Sequence, residues 1–427
     1  MKYYITTTLP YVNADPHIGF ALEIIQADVL ARWRKQRGDD VLFNTGTDEH
    51  GQKIYQSALE NNQTPQEYCD HYASRFERLK ESLNLSYDNF IRTTDEHHLR
   101  AAQEFWRRCL ANGDIYKKQY STKYCVGCEL EKTDSELVDG KCPIHPNKDI
   151  ELREEENYFF KFSNYQQKLL DLYNSSSEFV VPVSRFKEVK SFVEGGLQDF
   201  SISRLKSKMP WGVPVPDDED HVMYVWFDAL VNYISTLGWP DEKFADWWPG
   251  IQVAGKDNLR QQTAMWQAML MSAGIKPSKQ VYIHGFMTKD GQKISKSTGN
   301  TVNPLELVDK YGTDAVRYYL LKAIHPYEDS DFSITSFEAL YNSDLANGLG
   351  NLVSRLAQMI EKMAPNLLTG DDYEVNDFYF DLRKKIDNSL NSYKYNDAMI
   401  AIKESIDFIN QQIEIIKPWE VYKNDPD

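Results

Sequence analysis

Hydrophobic positions change period repeatedly along this chain. Tyr3–Thr8 is a short β-rich run ending at Leu9-Pro10, and polar turn residues follow through Pro16. Over Gly19–Gly38 the apolar residues Ala21, Leu22, Ile25, Val29 and Trp33 recur at helical spacing. Val41–Thr45 predicts a second buried strand ending at Gly46, with a further helix from about Gln52. Strand, turn, helix, strand, helix is the grammar of a parallel, doubly wound α/β sheet. Such sheets bind ligands beyond the carboxyl ends of their strands, where the loops 9–19 and 45–51 would lie.

Residues 65–114 read as mainly helical. From Ile115 to about Leu152 the helical period gives way to short strands with Gly, Cys and Pro, which predicts an inserted small module. Strand-like runs return at 222–226, 251–254 and 281–284. The α/β fold is therefore expected to be split by an insertion of about 100 residues, the size of a small domain. Beyond Thr335 the pattern is helical, with candidates at 336–364, 376–392 and 396–416. The last carries an apolar stripe of Ala398, Ile402, Ile406, Ile409 and Ile413.

Composition narrows the class. The 427 residues are 41% hydrophobic and 26% charged, as in an ordinary globular protein and unlike a disordered one. No apolar run reaches membrane-spanning length, and the N-terminus lacks a signal-peptide core, so a cytoplasmic location is expected. The net charge of −16 argues against a uniformly basic surface that coats nucleic acid. Between Lys256 and Asn300, however, seven Lys/Arg face two Asp. The acidic run Asp217–Asp220 reads as a solvated loop.

Of five cysteines, Cys69 and Cys109 fall in helical stretches and read as small buried hydrophobes. The others form Cys125-x2-Cys128-x13-Cys142-x2-His145. Two short pairs separated by a loop have the spacing of a tetrahedral knuckle of three thiolates and one imidazole, closed to substrate and hence structural. One zinc per chain is expected there. Two other motifs are weaker singly. Pro10-Tyr11-Val12-Asn13-Ala14-Asp15-Pro16-His17-Ile18-Gly19-Phe20 opens a helix, where Gly19 permits close approach and the helix N-terminus favours an anion; it would also serve as a plain capping turn. Lys293-Ile294-Ser295-Lys296-Ser297, flanked by Gly291 and Gly299, suits a mobile cationic loop over a triphosphate, or a merely solvated one. No P-loop or dinucleotide glycine fingerprint is present.

Taken together and in this order, the two motifs resemble the H-x-G-H and K-M-S-K-S signatures of class I aminoacyl-tRNA synthetases, specifically the methionyl enzymes of the bacterial kind. The resemblance runs through Thr45-Gly46-Thr47-Asp48-Glu49-His50-Gly51, Asp199-Phe200-Ser201-Ile202-Ser203-Arg204, Tyr224-Val225-Trp226-Phe227-Asp228-Ala229, Gly255-Lys256-Asp257 and Lys417-Pro418-Trp419. It implies a split Rossmann-type domain (1–114 and 222–285), a connective insertion with the zinc knuckle (115–221), a signature-loop and stem-contact region (286–335), and an all-α anticodon-binding bundle (336–427) that reads as short. It implies ATP with Mg²⁺, L-methionine and tRNA as partners, and a monomer. By the same resemblance, His17, Lys293 and Lys296 carry catalysis, and Asn13, Gly19, Gly255 and Asp257 join them around ATP. Leu9, Tyr11, Asp48, Trp226, Leu230, Tyr233, Asn258 and Gln262 would hold methionine, and Asn351, Arg355 and Trp419 the anticodon. The chain departs from the family pattern at Phe20 (usually His), at Asn258, Gln261 and Gln262 (usually Ile and a Phe-His pair), and at Ile294 (usually Met). These departures leave open a catalytically impaired tRNA-binding paralogue. A class I synthetase for another amino acid is the second alternative.

Overall fold

A computed structural model describes residues 1–128, 130–132, 136–289, 291–294, 300–363 and 377–424. They form two compact units: Met1–Pro16 with Ala27–His284, and His17–Gln26 with Gly285 onward.

In chain order the strands of the first unit are β1 (Lys2–Thr7), β2 (Asp40–Thr47), β3 (Asn89–Arg92), β4 (Ile115–Cys125), β5 (Leu130–Lys132), β6 (Ile150–Phe160), β7 (Val180–Val181), β8 (Phe200–Ser201), β9 (Ser203–Leu205), β10 (His221–Met223), β11 (Ile251–Gly255) and β12 (Gln280–His284). Six of them make one sheet in the order β3-β2-β1-β11-β12-β7, parallel at every pairing. Strand β1 is buried from Tyr3 on, and β11 throughout. Helices cover both faces of a parallel sheet, so its central strands have no polar side and read as continuous apolar runs. The chain leaves β1 for β2 on one side and returns beside it as β11. The crevice between the carboxyl ends of β1 and β11 is thus the topological switch point, where such folds bind ligands. Behind it lies an aromatic core: Phe105 stacks on Trp266 at 5.5 Å and meets Phe227 edge-on at 5.8 Å.

Three local expectations are corrected. Residues 115–221 are not one continuous insertion. A four-stranded antiparallel sheet, β5-β4-β6-β8, forms the inserted module, but Val180 and Val181 return to the parent sheet beside β12. The run 222–226 is not a strand of that sheet. β10 ends at Met223 and pairs with β9, and Val225–Ala229 is a short helix. Apart from Trp226 this helix is buried on every side, so it lacks the polar face that would have marked its period. In the acidic run, Asp217, Glu219 and Asp220 are exposed as expected, but Asp218 turns inward to accept from Lys117 (2.7 Å), Tyr158 (2.8 Å) and His221 (3.1 Å). Burial alone would raise its carboxyl. These donors outweigh burial and hold it below the ordinary carboxylate range.

His98 is fully buried, with Nδ1 2.9 Å from the Ser235 hydroxyl. Burial, and then the neighbouring His50 and His97, push its pKa from 6.5 down to about 3. Between those values the unfolded chain binds a proton that the folded chain refuses. Its contribution is therefore complete above about pH 6.5 and declines by about 1.4 kcal/mol per pH unit as pH falls toward 3. Denaturant unfolding at pH 7.5 and 5.0 should show a loss of about 2 kcal/mol from this source. His98→Gln should remove it; an unchanged pH slope in the variant would refute the assignment.

From Gly285 onward the second unit carries a small sheet of β13 (Met287–Lys289), β14 (Gln292–Lys293) and β15 (Ser330–Phe332), ordered β14-β13-β15. Its helices include Pro304–Tyr311, Thr313–Lys322, Asn351–Met363, Asp377–Asn391, Tyr395–Ile416 and Pro418–Asn424. The ends of the expected helices at 364 and 376 lie outside the described residues. In the helix 395–416 the buried face is Tyr395, Ala398, Ala401, Ser405 and Ile413. Ile409, expected in the stripe, is 39% exposed. Buried Asp344 anchors the bundle by accepting from Lys322 and, at 2.8 Å, from Tyr318. Among the described residues no helix is long and apolar enough to cross a membrane.

Candidate active site and metal centre

The loops after β1 and β2 are stitched together at the sheet edge. Asp48 N–H donates to the Pro10 carbonyl (3.0 Å), Val12 N–H donates to the Asp48 carbonyl (3.3 Å), and Tyr11 and Asp48 form an isolated parallel bridge. This continues the β1–β2 ladder past the strand ends and fixes the Asp48 backbone beside Tyr11. The Asp48 side chain is 4% exposed. Its neighbour Glu49 is structural: fully buried, it pairs with Arg92 at 2.7 and 2.9 Å and accepts from Thr47 and Thr94. Asn13, in the amide orientation that satisfies both of its groups, donates to the Tyr11 carbonyl (3.3 Å) and accepts from Lys53 (3.1 Å).

The segment 225–236 is tied to the same edge. Tyr4 Oη on β1 donates to the Tyr233 carbonyl (2.9 Å), Asn44 on β2 donates to Asn232 (3.4 Å), and Thr236 donates to Asn44 (2.9 Å). From the turn after β11, Gln262 Nε2 donates to Tyr233 Oη at 2.7 Å. Tyr233, Leu230 and Gln262 are buried; Leu9, Tyr11, Trp226 and Asn258 are partly open. The Trp226 indole N–H is shielded from water and has no acceptor among the described residues. Gly255 ends β11, and a Cβ there would sit 2.8 Å from a carboxylate oxygen of exposed Asp257. Every expected methionine-site residue therefore lies in this unit, on segments joined to β1, β2 or β11.

In the second unit, Gly19 N–H donates to His17 Nδ1 at 3.1 Å, so a neutral His17 carries its proton on Nε2. A Cβ on Gly19 would lie 3.0 Å from that ring, which explains glycine here. Ile18 N–H donates to the Val302 carbonyl (2.9 Å), joining the first signature to the chain just after the second. Phe20 is buried at 8%. The β13–β14 hairpin turns at Gly291 (φ +72°), and Asp331 holds its base by accepting from Thr288 (2.7 Å) and Gly291 N–H (2.9 Å). Ile294 packs inward at 8%. The Lys293 side chain and all of Ser295, Lys296 and Ser297 lie outside the described residues. Farther along, Asn351 and Arg355 line a groove of about 510 Å³ with Asn347, Asn410, Gln411 and Glu414, and Arg355 pairs with Glu414 at 2.6 Å. Trp419, on the helix Pro418–Asn424, is half-buried.

The inserted module brings the four knuckle residues together. Their ligand atoms lie within 4.8 Å of one another, with Cys128 Sγ 3.4 Å from Cys142 Sγ and 3.2 Å from His145 Nδ1. A tetrahedral zinc with bonds of about 2.3 Å holds sulfurs about 3.8 Å apart, so this donor set fits the ion in both chemistry and spacing. Cys125 ends β4. The second ligand pair follows a tight turn in which Asp139 (φ 51°) and Gly140 (φ 74°) join Val138 to Lys141. Gly127 has no room for a side chain, because a Cβ would come 2.5 Å from the His145 ring.

Two buried features escaped the sequence reading. His50 Nδ1 lies 3.2 Å from a carboxylate oxygen of Asp228; the two are 4% and 0% exposed, and burial pushes the Asp228 carboxyl up. The other is a glutamine cluster behind Tyr233.

A split parallel sheet, a knuckle insertion, a helical bundle and two signature segments at a helix start and a basic hairpin define a class I aminoacyl-tRNA synthetase. The family model for class I tRNA synthetases (M) matches residues 3–151 and 131–357. The chain is 44% identical to the methionine–tRNA ligase of Nostoc sp. over 99% of its own length and 82% of that protein. It is also 44% identical to that of Thermotoga maritima, over 98% and 68%. Mycobacterium tuberculosis methionyl-tRNA synthetase bound by methionyl-adenylate superposes with a TM-score of 0.93 at 39% identity, over 100% of this chain and 86% of that one. The chain belongs to the methionyl-tRNA synthetase family.

Proposed function

We propose that this chain is a methionine–tRNA ligase that forms methionyl-adenylate at the carboxyl edge of its parallel sheet and then charges tRNA(Met). The observation that carries this reading is likeness, over the whole of this chain and 86% of the other, to an enzyme solved with methionyl-adenylate. In the first step a methionine carboxylate oxygen attacks the α-phosphorus of ATP, and the bond to the pyrophosphate oxygen breaks. In the second, a ribose hydroxyl of the tRNA 3′ end attacks the activated carbonyl and AMP leaves. Neither step needs a protein nucleophile, so catalysis is positioning and charge stabilisation.

Asp48 receives the methionine ammonium; Leu9, Tyr11, Trp226, Leu230, Tyr233, Asn258 and Gln262 surround the side chain. Asn13 and the Nε2–H of His17 face the phosphates, Gly19, Gly255 and Asp257 the adenosine, and Lys293 and Lys296 the β- and γ-phosphates with their Mg²⁺. Cys125, Cys128, Cys142 and His145 hold one structural zinc. Asn351, Arg355 and Trp419 read the anticodon, with Trp419 as a stacking face. The enzyme works as a cytoplasmic monomer.

ATP–pyrophosphate exchange with a panel of amino acids tests the reading. Methionine alone should support exchange. Exchange with another amino acid, or with none, overturns it in favour of a different synthetase or a non-catalytic paralogue. Lys296→Ala should lower kcat by about a hundredfold, the cost of one lost charge-stabilising donor, and leave the methionine KM within about threefold. Equal losses in both would remove Lys296 from its role.

A further inference from the structure

The first signature is one donor short. Where the family usually carries a second histidine, this chain has Phe20, buried at 8% and with no group to offer a phosphate. One charge-stabilising donor is worth about a hundredfold in rate. A chain that keeps the reaction is expected to supply that charge from elsewhere.

Lys53 has the chemistry and the place. It stands, partly buried, in the first turn of the helix Gln52–Glu60, a turn that holds no acid. The N-terminal end of a helix is already positive, and acids ordinarily offset it. A lysine there adds to the positive potential. Glu49, just upstream, is committed to Arg92. A cation in this position is an unfavourable local choice unless an anion comes to meet it, and such choices collect at functional sites.

The same lysine faces the signature loop. Its ammonium donates to Asn13 Oδ1 at 3.1 Å, and Asn13 Nδ2 donates to the Tyr11 carbonyl at 3.3 Å. An ammonium only donates and a carbonyl only accepts, so these two groups fix which end of the Asn13 amide is which. The helix Pro65–Glu77 holds the loop at two further points. Tyr68 Oη donates to the Asn13 carbonyl at 3.3 Å, and Arg75 pairs with Asp15. Lys53 therefore meets a clamped loop. An ammonium has three N–H donors, enough to keep Asn13 and bond a phosphate oxygen at once.

We infer that Lys53 is a further catalytic cation of the adenylation step, meeting the ATP phosphates beside Asn13 and serving in place of the histidine missing at position 20. As the bond from the α-phosphorus to the pyrophosphate oxygen breaks, its electron pair stays on that oxygen. Lys53 stabilises the charge gathering there and keeps its own proton throughout. The inference rests on the proposed placement of Asn13 at the phosphates.

Lys53→Met keeps the aliphatic stem and removes the charge. It should lower kcat in methionine-dependent pyrophosphate exchange by about a hundredfold, with the methionine KM within about twofold. Lys53→Arg, which keeps the charge, should retain at least about a third of the rate. Pyrophosphate leaves in the first step. Single-turnover transfer to tRNA from enzyme already loaded with methionyl-adenylate should therefore be unchanged in Lys53→Met. Phe20→His tests the substitution of one group for the other. Alone it should change kcat by less than about threefold; added to Lys53→Met it should recover at least about tenfold. Phe20→Asn, a smaller donor, serves where the histidine does not fit. Asn13→Ala tests the placement, and an unchanged kcat/KM for ATP in that variant overturns it. With Asn13→Ala impaired, three results remove Lys53 from its role while the placement stands: an unchanged kcat in Lys53→Met, a transfer step slowed as much as exchange, or no recovery from either substitution at position 20.

Discussion

Asp48→Asn should cost at least about a hundredfold in kcat/KM for methionine, most of it in KM, while the KM for ATP stays within about twofold. The argument begins with burial. Asp48 is 4% exposed, and its backbone is clamped by the Pro10 carbonyl at 3.0 Å and Val12 N–H at 3.3 Å. A carboxylate held where water scarcely reaches makes a strong charge-assisted bond to an ammonium. Replacing it by a neutral amide leaves that ammonium buried and unneutralised, a loss of roughly 3–5 kcal/mol. Asparagine has the same shape and leaves both backbone bonds in place, so the thermal midpoint should move little. An analogue separates the ammonium from the rest of the substrate. Methioninol keeps the ammonium, and its inhibition constant should rise by the same factor as the methionine KM. A deaminated thioether alcohol should bind wild type and variant alike. If methioninol binds the variant as tightly as wild type, Asp48 does not hold the ammonium.

What could be read from the residue order, and what could not, follows from how far apart the cooperating groups lie. β1, β2, β11 and β12 were legible because a parallel sheet covered on both faces leaves continuous apolar runs. β3 has four residues and β7 only two, too few for a period to stand out among helices. The helix 225–229 failed for the opposite reason: burial on nearly all sides erased its polar stripe. The knuckle was legible because metal geometry constrains local spacing. The His50–Asp228 pair joins residues 178 positions apart, and the buried glutamine cluster draws on Gln252, Gln262, Gln267 and Ser278. Glutamine and serine ordinarily read as surface, and only the pairing of β11 with β12 brings Ser278 beside Gln252. Gln262 was noticed as a departure from the family pattern and, by resemblance alone, as a methionine-site residue. Its partner on Tyr233, and so what it does there, needed coordinates.

The second large effect concerns the zinc knuckle. Protein purified without added metal should carry one zinc per chain, and Cys142→Ala should carry none. Among the described residues, little besides metal can hold the tip. Cys125 and Cys142 are buried there, yet the apolar residues Val138 and Ile144 are 61% and 58% exposed, so the described residues of the tip form no apolar core. Structural zinc in comparably small folds contributes about 10–16 kcal/mol of apparent binding energy, which is also their folding energy. Without it the segment between β4 and β6 should become sensitive to protease. The parent sheet, with its Phe105–Trp266 core, should keep its thermal transition, and pyrophosphate exchange should stay within about threefold of wild type. Transfer to tRNA should fall by at least about tenfold, on the proposal that the knuckle tip of this module meets the acceptor end of the tRNA. Gly127→Ala probes the same centre more gently. Its Cβ would meet the His145 ring at 2.5 Å, displacing one ligand and keeping all three thiolates. Zinc affinity should then drop by about 10–100-fold, the usual cost of disturbing a ligand's support, and added zinc should restore the protease resistance that Cys142→Ala cannot recover. Wild-type protein that folds fully and resists protease with no metal bound would overturn the site.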